Sequence, residues 1–331
     1  MAITDDFQRA LELISRSQNI LITTHTRPDG DACGSLLAMA EAFRAQGKNV
    51  TAMLLSELPQ WYEFLFEHKL PIYDNEIKPD QLTGIDLIVL VDVNSDSQLP
   101  KFCDYLKNQR NGAKLLVIDH HVTNDGLGNV EIIDISAAAT GLIVYDLFQF
   151  AGWTITEKIA NALFVAISTD TGWFQFSNTD ARTFTTCGKL MELGVNAAEL
   201  YRKLYQNFTP QRFRLMTRMF DSLELHLDGR YAVQQLTLKD FEETGASYTD
   251  TENLIDRCRC ISSVQAVAFF TEQKDGRVRC SLRSTGKVDM RLVGQKFGGG
   301  GHIVAAGVHL PGPMENAKKL IYDTVKEQLI A

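Results

Sequence analysis

His25, Asp29, Asp31, Asp92, His120, His121 and Asp170 stand far apart in the chain, yet each follows closely on an apolar run. Imidazoles and carboxylates delivered from separate element ends to one cleft are how a divalent-metal site is assembled. Such mixed nitrogen and oxygen ligands suit manganese and related ions, and two ions side by side are the device of phosphoesterases.

Asp29 and Asp31 are two apart, with Gly30 between them to let the loop bend, so on extended backbone they would share a face. His25 adds a nitrogen, and Gly34 and Ser35 are read as opening a helix from about Gly34 to Gln46, whose amides could face an anion. Taken alone, both aspartates could equally be caps of that helix. Asp92 follows the run Leu87–Val91 and is ambiguous in the same way. The tripeptide Asp119-His120-His121 says more, because adjacent imidazoles point in different directions, so that one can bind metal while its neighbour meets substrate and Asp119 orients a ring. For Asp170-Thr171-Gly172, at the end of a helix-like stretch, a capping turn is the simpler reading.

Toward the C-terminus, Gly298, Gly299, Gly300 and Gly301 precede His302 and a run of small residues read as a short helix. Amides exposed in such a turn can cradle a phosphate, with His302 as an added donor. Arg283 and Ser284, closing the strand-like run before it, offer a second anion contact. Trp61, Tyr62, Phe64 and Phe66 are read as an apolar helix or lid surface. Cys258 and Cys260 lack zinc-ligand company and are read as packing residues, and His68, His226 and His309 have no companion ligands.

These residues need elements to hold them. Apolar runs at Asn19–Thr24, Val50–Leu55, Leu87–Val91 and Leu115–Ile118 alternate with helical patterns, as parallel strands covered on both faces do. Helices are expected around Ala138–Phe150 and Thr156–Ser168, and a helix-rich stretch from Asp180 to Phe220. Beyond Leu223 short strands (Leu223–His226, Tyr231–Leu236, Val264–Phe270, Val278–Arg283) alternate with helices, and Met314–Ile330 closes the chain. The fold class is therefore α/β, with a parallel-sheet N-terminal domain and a smaller α+β C-terminal domain. The divisions are 1–195 for the metal-binding catalytic part, 196–215 for a helical linker and 216–331 for a substrate-binding part, with the active site expected in the cleft between them.

A length of 331 residues and 45% hydrophobic content fit two ordinary globular domains. A formal charge of -8 argues against a broad basic surface, so duplex DNA is not an expected partner and a small anionic substrate is. Six scattered cysteines suit reduced thiols, and the start Met1 to Asp6 shows no signal or membrane-spanning pattern. The expectation is a cytoplasmic protein without membrane contact, compatible with a homodimer.

The sequence strongly resembles the DHH phosphoesterase superfamily, named for a tripeptide matching Asp119-His120-His121. His25-x-x-x-Asp29-x-Asp31 is similar to its first motif, Asp92 to its second and Asp170 to its fourth. Gly299-Gly300-Gly301-His302 with Ala305-Ala306-Gly307 is similar to the signature of the DHH-associated C-terminal domain. Length and architecture resemble the group that degrades very short RNAs (nanoRNA) and dephosphorylates 3'-phosphoadenosine 5'-phosphate. The resemblance implies that His25, Asp29 and Asp92 hold one metal ion, that Asp31, Asp92, His120 and Asp170 hold another, and that Asp92 bridges. The ions implied are manganese, with magnesium or cobalt as substitutes. His121 would meet the scissile phosphate, Asp119 would support catalysis, and Arg283, Ser284, Gly299–Gly301 and His302 would hold the nucleotide. Metal-assisted hydrolysis by in-line attack of water is the expected reaction. Its rivals are an inorganic pyro- or polyphosphatase, a linear or cyclic dinucleotide phosphodiesterase, and a silent nucleotide-binding protein.

Overall fold

The computed structural model describes residues 2–110, 112–251 and 254–330, the side chains at 2, 3 and 302 excepted. Its contacts divide the chain into Met1–Asn207 and Phe208–Ala331.

The first unit runs α1 (Ala2–Ser15), β1 (Asn19–Thr23), α2 (Gly30–Ala45), β2 (Asn49–Ala52), β3 (Leu87–Val91), α3 (Phe102–Asn108), β4 (Lys114–Asp119), β5 (Val130–Ile133), α4 (Thr140–Ala151), α5 (Glu157–Asp170), α6 (Ala181–Glu192) and α7 (Ala197–Tyr205). Among the described residues its five strands form one parallel sheet in the order β2-β1-β3-β4-β5. Every residue of β3 is buried, because the sheet is covered on both sides and alternate side chains enter different cores. Ile22, Val89, Val91 and Ile118 pack with Leu36, Phe43, Ile143 and Phe164 from α2, α4 and α5. Leu21, Ile88, Leu90 and Val117 pack on the other face with Phe102 and Tyr105 of α3. After β1 the chain crosses to β2 on one side and then returns to β3 on the other. That reversal opens a crevice at the carboxyl ends of β1 and β3, where open α/β sheets bind ligands.

The second unit runs α8 (Pro210–Asp221), β6 (Glu224–His226), β7 (Tyr231–Leu236), α9 (Leu238–Thr244), β8 (Ala266–Glu272), β9 (Arg277–Ser284), α10 (Met290–Lys296), β10 (Gly300–His302), β11 (Ala305–Pro311) and α11 (Met314–Ile330). Its sheet has the order β10-β11-β9-β8-β7-β6, parallel only between β7 and β8. One face carries Val233, Phe270, Leu282 and Val308 against Val293, Ile321 and Val325 of α10 and α11. The other carries Ala232, Val267 and Phe269 against Leu215 and Met219 of α8. No helix among the described residues is long and apolar enough to cross a membrane.

The α/β class and the change of texture after Leu223 agree with the sequence reading, and three details differ. Helix α2 starts at Gly30 rather than near Gly34, because Asp29 caps it by accepting the Ala32 N–H at 3.1 Å. Strand β5 has no counterpart in the sequence reading, since four residues give too little pattern. The small residues after His302 form strand β11 rather than a helix: Ala306, Val308 and Leu310 alternate inward, and β9 supplies a full antiparallel ladder.

Candidate metal centre

Polar side chains at the ends or starts of these elements reach the crevice. His25 comes two residues after β1, Asp31 is the second residue of α2, Asp92 follows β3, His120 and His121 follow β4, and Asp170 closes α5. Asp92 has a left-handed backbone (φ 59), which turns its side chain away from the direction a continuing strand would give it. Its N–H is held by the Ile118 carbonyl at 2.9 Å. A Cβ on Gly30 would stand 2.2 Å from Thr169 Oγ1, so a glycine is needed to let the start of α2 touch the end of α5 and bring Asp31 and Asp170 together.

Two clusters result. His25, Asp29 and Asp92 offer ligand atoms within 4.8 Å of one another, and so do Asp31, His120 and Asp170. Asp92 faces both: its Oδ2 lies 3.5 Å from His25 Nε2 and its Oδ1 lies 3.6 Å from His120 Nε2. His120 Nε2 is also 3.8 Å from Asp31 Oδ2 and 3.5 Å from Asp170 Oδ2. Both imidazoles are oriented by carbonyls, which can only accept. His25 Nδ1–H donates to Thr26 O at 2.9 Å and His120 Nδ1–H to Ala137 O at 3.1 Å. Each Nε2 is thereby left with its lone pair toward the carboxylates, as a metal ligand requires.

Asp31 is almost fully buried and well supplied with donors. Its Oδ1 accepts from Ser35 Oγ (3.0 Å) and Gly141 N–H (2.9 Å), and its Oδ2 from Thr140 N–H (2.6 Å). The second lone pair of Oδ2 remains for a cation. Asn178 ties the other side together, donating through one Nδ2 to the carbonyls of Ala138 (3.1 Å) and Asp170 (3.2 Å).

His121 also falls within reach of Asp92 and His120. Its Nδ1, however, donates to Asp119 Oδ1 at 2.7 Å, so that nitrogen is committed and the ring is no ligand through it. Asp119 is buried and accepts the His120 N–H as well, at 2.8 Å. Its hydrogen bond raises the His121 pKa, which favours an imidazolium whose Nε2–H can donate to an anion. Burial, with His121 adjacent, lowers that of His120 and keeps it neutral.

Burial pushes Asp31 and Asp92 well above the usual carboxylate range, with neighbouring carboxylates adding to the shift. Asp170 is pushed up to about 7 by burial and by Asp29. Among the described residues no lysine or arginine pairs with Asp29, Asp31, Asp92 or Asp170. Crowded carboxylates without a cationic side chain, faced by neutral imidazole nitrogens, fit divalent cations in charge and in donor type.

In the second unit, Arg283 on β9 lies opposite Ala305 of β11, donates through Nη1 to the Leu282 carbonyl (3.1 Å) and has Nε 3.5 Å from Asp256 Oδ1. Ser284 is buried with its hydroxyl hydrogen committed, donating to Val288 O (2.7 Å) while its oxygen accepts from Gly286 N–H (3.0 Å). As it stands this hydroxyl holds a turn and offers no hydrogen to an anion. Gly299 precedes the β10–β11 hairpin, in which Gly300 pairs with Gly307; Gly301 (φ 148) has room for no side chain, since a Cβ would meet Ala305 O at 2.3 Å. The side chain of His302 lies outside the described residues. Ala137, Thr140, Gly141 and Asn178 support the clusters without having been singled out from sequence, and Ser35, read there as a helix opener with an anion-facing amide, serves through its hydroxyl on Asp31 instead. Their contributions are mostly backbone groups or common hydroxyls, which leave no pattern to read.

A parallel sheet with paired His/Asp clusters at its switch point, followed by a separate mixed-sheet unit, defines a class. Residues 19–167 match the model of the DHH family, N-terminal domain, and residues 228–331 match the DHHA1 domain. The chain belongs to the DHH phosphoesterase family, whose members are metal-dependent hydrolases of phosphate esters. It is similar to the bifunctional oligoribonuclease and PAP phosphatase NrnA of Thermus thermophilus, with 32% identity over 94% of this chain and 90% of that protein. With the protein of the same name from Bacillus subtilis it shares 29% identity over 91% and 92%. The crystal structure of an exopolyphosphatase-related protein from Bacteroides fragilis has the same fold, with TM-score 0.93, 23% identity and coverage of 98% and 97%.

Proposed function

We propose that this chain is a two-cation phosphoesterase that hydrolyses short oligoribonucleotides to mononucleotides and 3'-phosphoadenosine 5'-phosphate to AMP and phosphate. The observation that carries the reading is Asp92, whose two oxygens face separate His/Asp clusters as a bridging carboxylate must. The names of the relatives from Thermus thermophilus and Bacillus subtilis supply the substrate class. His25, Asp29 and Asp92 would hold one ion, and Asp31, Asp92, His120 and Asp170 the other. Two divalent ions, manganese in our reading with magnesium or cobalt as substitutes, supply charge neutralisation and an activated water.

The chain's own groups do the rest. Hydrogen bonds to the Thr26 and Ala137 carbonyls keep His25 and His120 oriented. His121, held by Asp119, donates Nε2–H to a phosphate oxygen and stabilises charge there as phosphorus is attacked. Arg283, the amides of Gly299, Gly300 and Gly301, and His302 are proposed to hold the nucleotide's terminal phosphate. Ser284 keeps the turn beside Arg283. A cytoplasmic setting and a metal-binding catalytic part followed by a substrate-binding part belong to the same proposal.

With manganese present, hydrolysis of pyrophosphate, 3'-phosphoadenosine 5'-phosphate and two- to five-nucleotide RNAs is compared. We expect turnover of the RNAs and the bisphosphate. Pyrophosphate as the sole substrate would overturn the proposal.

A further inference from the structure

We infer that Thr140 is the positioning residue of the cation pair, holding Asp92 through its hydroxyl and Asp31 through its amide, so that the first turn of α4 sets how the two clusters sit against each other. The inference rests on the two-cation reading above.

Thr140 is fully buried. Its Oγ1–H donates to Asp92 Oδ1 at 3.1 Å and its N–H donates to Asp31 Oδ2 at 2.6 Å, although these partners lie 48 and 109 residues away in the chain. One residue therefore touches the carboxylate shared by both clusters and a carboxylate of the second. The threonine does not cap the helix it opens. Thr140 is the first residue of α4 rather than its cap, the capping position is Ala139 with no side-chain bond, and the hydroxyl is spent outside the helix.

Asp92 needs such a partner. A carboxylate facing one cluster with each oxygen can rotate about its last bond, which would misdirect both oxygens at once. A hydrogen bond to Oδ1 restrains that rotation. The rest of the segment works in the same direction: Ala137 O receives His120 Nδ1–H, Ala138 O receives the Asn178 amide that also holds Asp170, and Gly141 N–H completes Asp31. Arg182 anchors the segment from outside, donating to Asp134 at its start and to Asp146 on α4, each at 2.7 Å. Residues 137–141 thus contact every ligand of the second cluster, directly or through Asn178.

Thr140→Val keeps shape and backbone and removes only the hydroxyl, whereas Thr140→Ser keeps the hydroxyl. Manganese is titrated into each metal-free protein, and the electron paramagnetic resonance of the loaded site reports whether the two ions are exchange-coupled. The valine variant should bind the ion of the Asp31/His120/Asp170 cluster about 10- to 100-fold more weakly, the usual effect of losing a partner that orients a ligand. It should also lose the coupled signal, and serine should restore both. If Thr140→Val does not fold, Thr140→Ala, which lacks the same hydroxyl without crowding Asp92, is read in its place. Two ions bound by the hydroxyl-less variant with unchanged affinity and an unchanged coupled spectrum would overturn the inference alone. A wild-type protein that binds fewer than two manganese ions would overturn the two-cation reading with it.

Discussion

In the first unit carboxylates are buried within reach of one another at the carboxyl ends of parallel strands, whereas in the second the glycine run belongs to a β-hairpin at the edge of a mixed sheet and Arg283 to the strand β9 beside it. The first arrangement is costly without a counter-charge. Burial and mutual repulsion raise Asp31, Asp92 and Asp170, and the fold tolerates this because buried strands and helix starts hold the groups in place. The second arrangement carries little strain, since its charged group keeps some contact with water and with Asp256. A site that must organise metal ions needs convergence from many segments. A site that only has to hold an anion can be built from a turn.

The largest effect expected from breaking this contrast is at Asp31. Asp31→Asn keeps the shape but turns an amide NH2 either toward the Thr140 N–H or toward the Gly141 N–H and Ser35 hydroxyl, and removes the charge. Turnover should fall by roughly 10³-fold or more with loss of one bound ion, since charge at the reacting centre is the main service of the site. Metal content and turnover both intact would show that the second cluster is not a metal site.

The metal-free protein sharpens the contrast without any activity assay. Between pH 3.8, the ordinary Asp value, and about 7, native Asp170 keeps a proton that the unfolded chain has released. The native state then binds more protons, so stability falls as pH rises through that window, and below it the penalty vanishes. We expect Tm to drop by on the order of 10 °C from pH 4.5 to pH 7.5, taking roughly 2–4 °C per kcal/mol for a domain of this size. Added manganese should reverse the drop, most strongly at pH 7.5. A Tm that rises with pH in the absence of metal would contradict the crowding of these carboxylates.

Arg283→Ala probes the second unit. Losing one charge-assisted contact should raise KM about 10-fold and leave kcat within about 2-fold. A fall in kcat with unchanged KM would mean that Arg283 acts on the reacting centre rather than on substrate binding. The smallest effect is expected at Ser284. Ser284→Ala removes the bonds to Val288 and Gly286 and should cost about 1 kcal/mol in denaturant unfolding, with KM unchanged. A clear rise in KM would return Ser284 to the anion site.

Much of the first unit could be read before folding was considered. The runs Leu87–Val91 and Leu115–Ile118 are so uniformly apolar that they must be strands covered on both faces, and polar residues directly after them had to emerge at one sheet edge. The glycine run was harder. Gly298 to Gly301 carries no periodicity, and the strand beyond it is recognised by its pairing with β9 rather than by its own residues. Thr140 and Asn178 were hidden for a different reason: each acts through single hydrogen bonds to partners remote in the chain or to main-chain carbonyls.

The sequence by itself determined the chemical inventory, because only histidine and aspartate at element ends could supply neutral nitrogen and anionic oxygen to one crevice. Tertiary structure decided how that inventory is used. It joined Asp92 to both clusters, withdrew His121 Nδ1 to Asp119, spent the Ser284 hydroxyl on a turn and placed Thr140 between two carboxylates. The physical reason is range: apolar periodicity is written in neighbouring residues, whereas the direction of a lone pair depends on hydrogen bonds that form only after distant segments have packed.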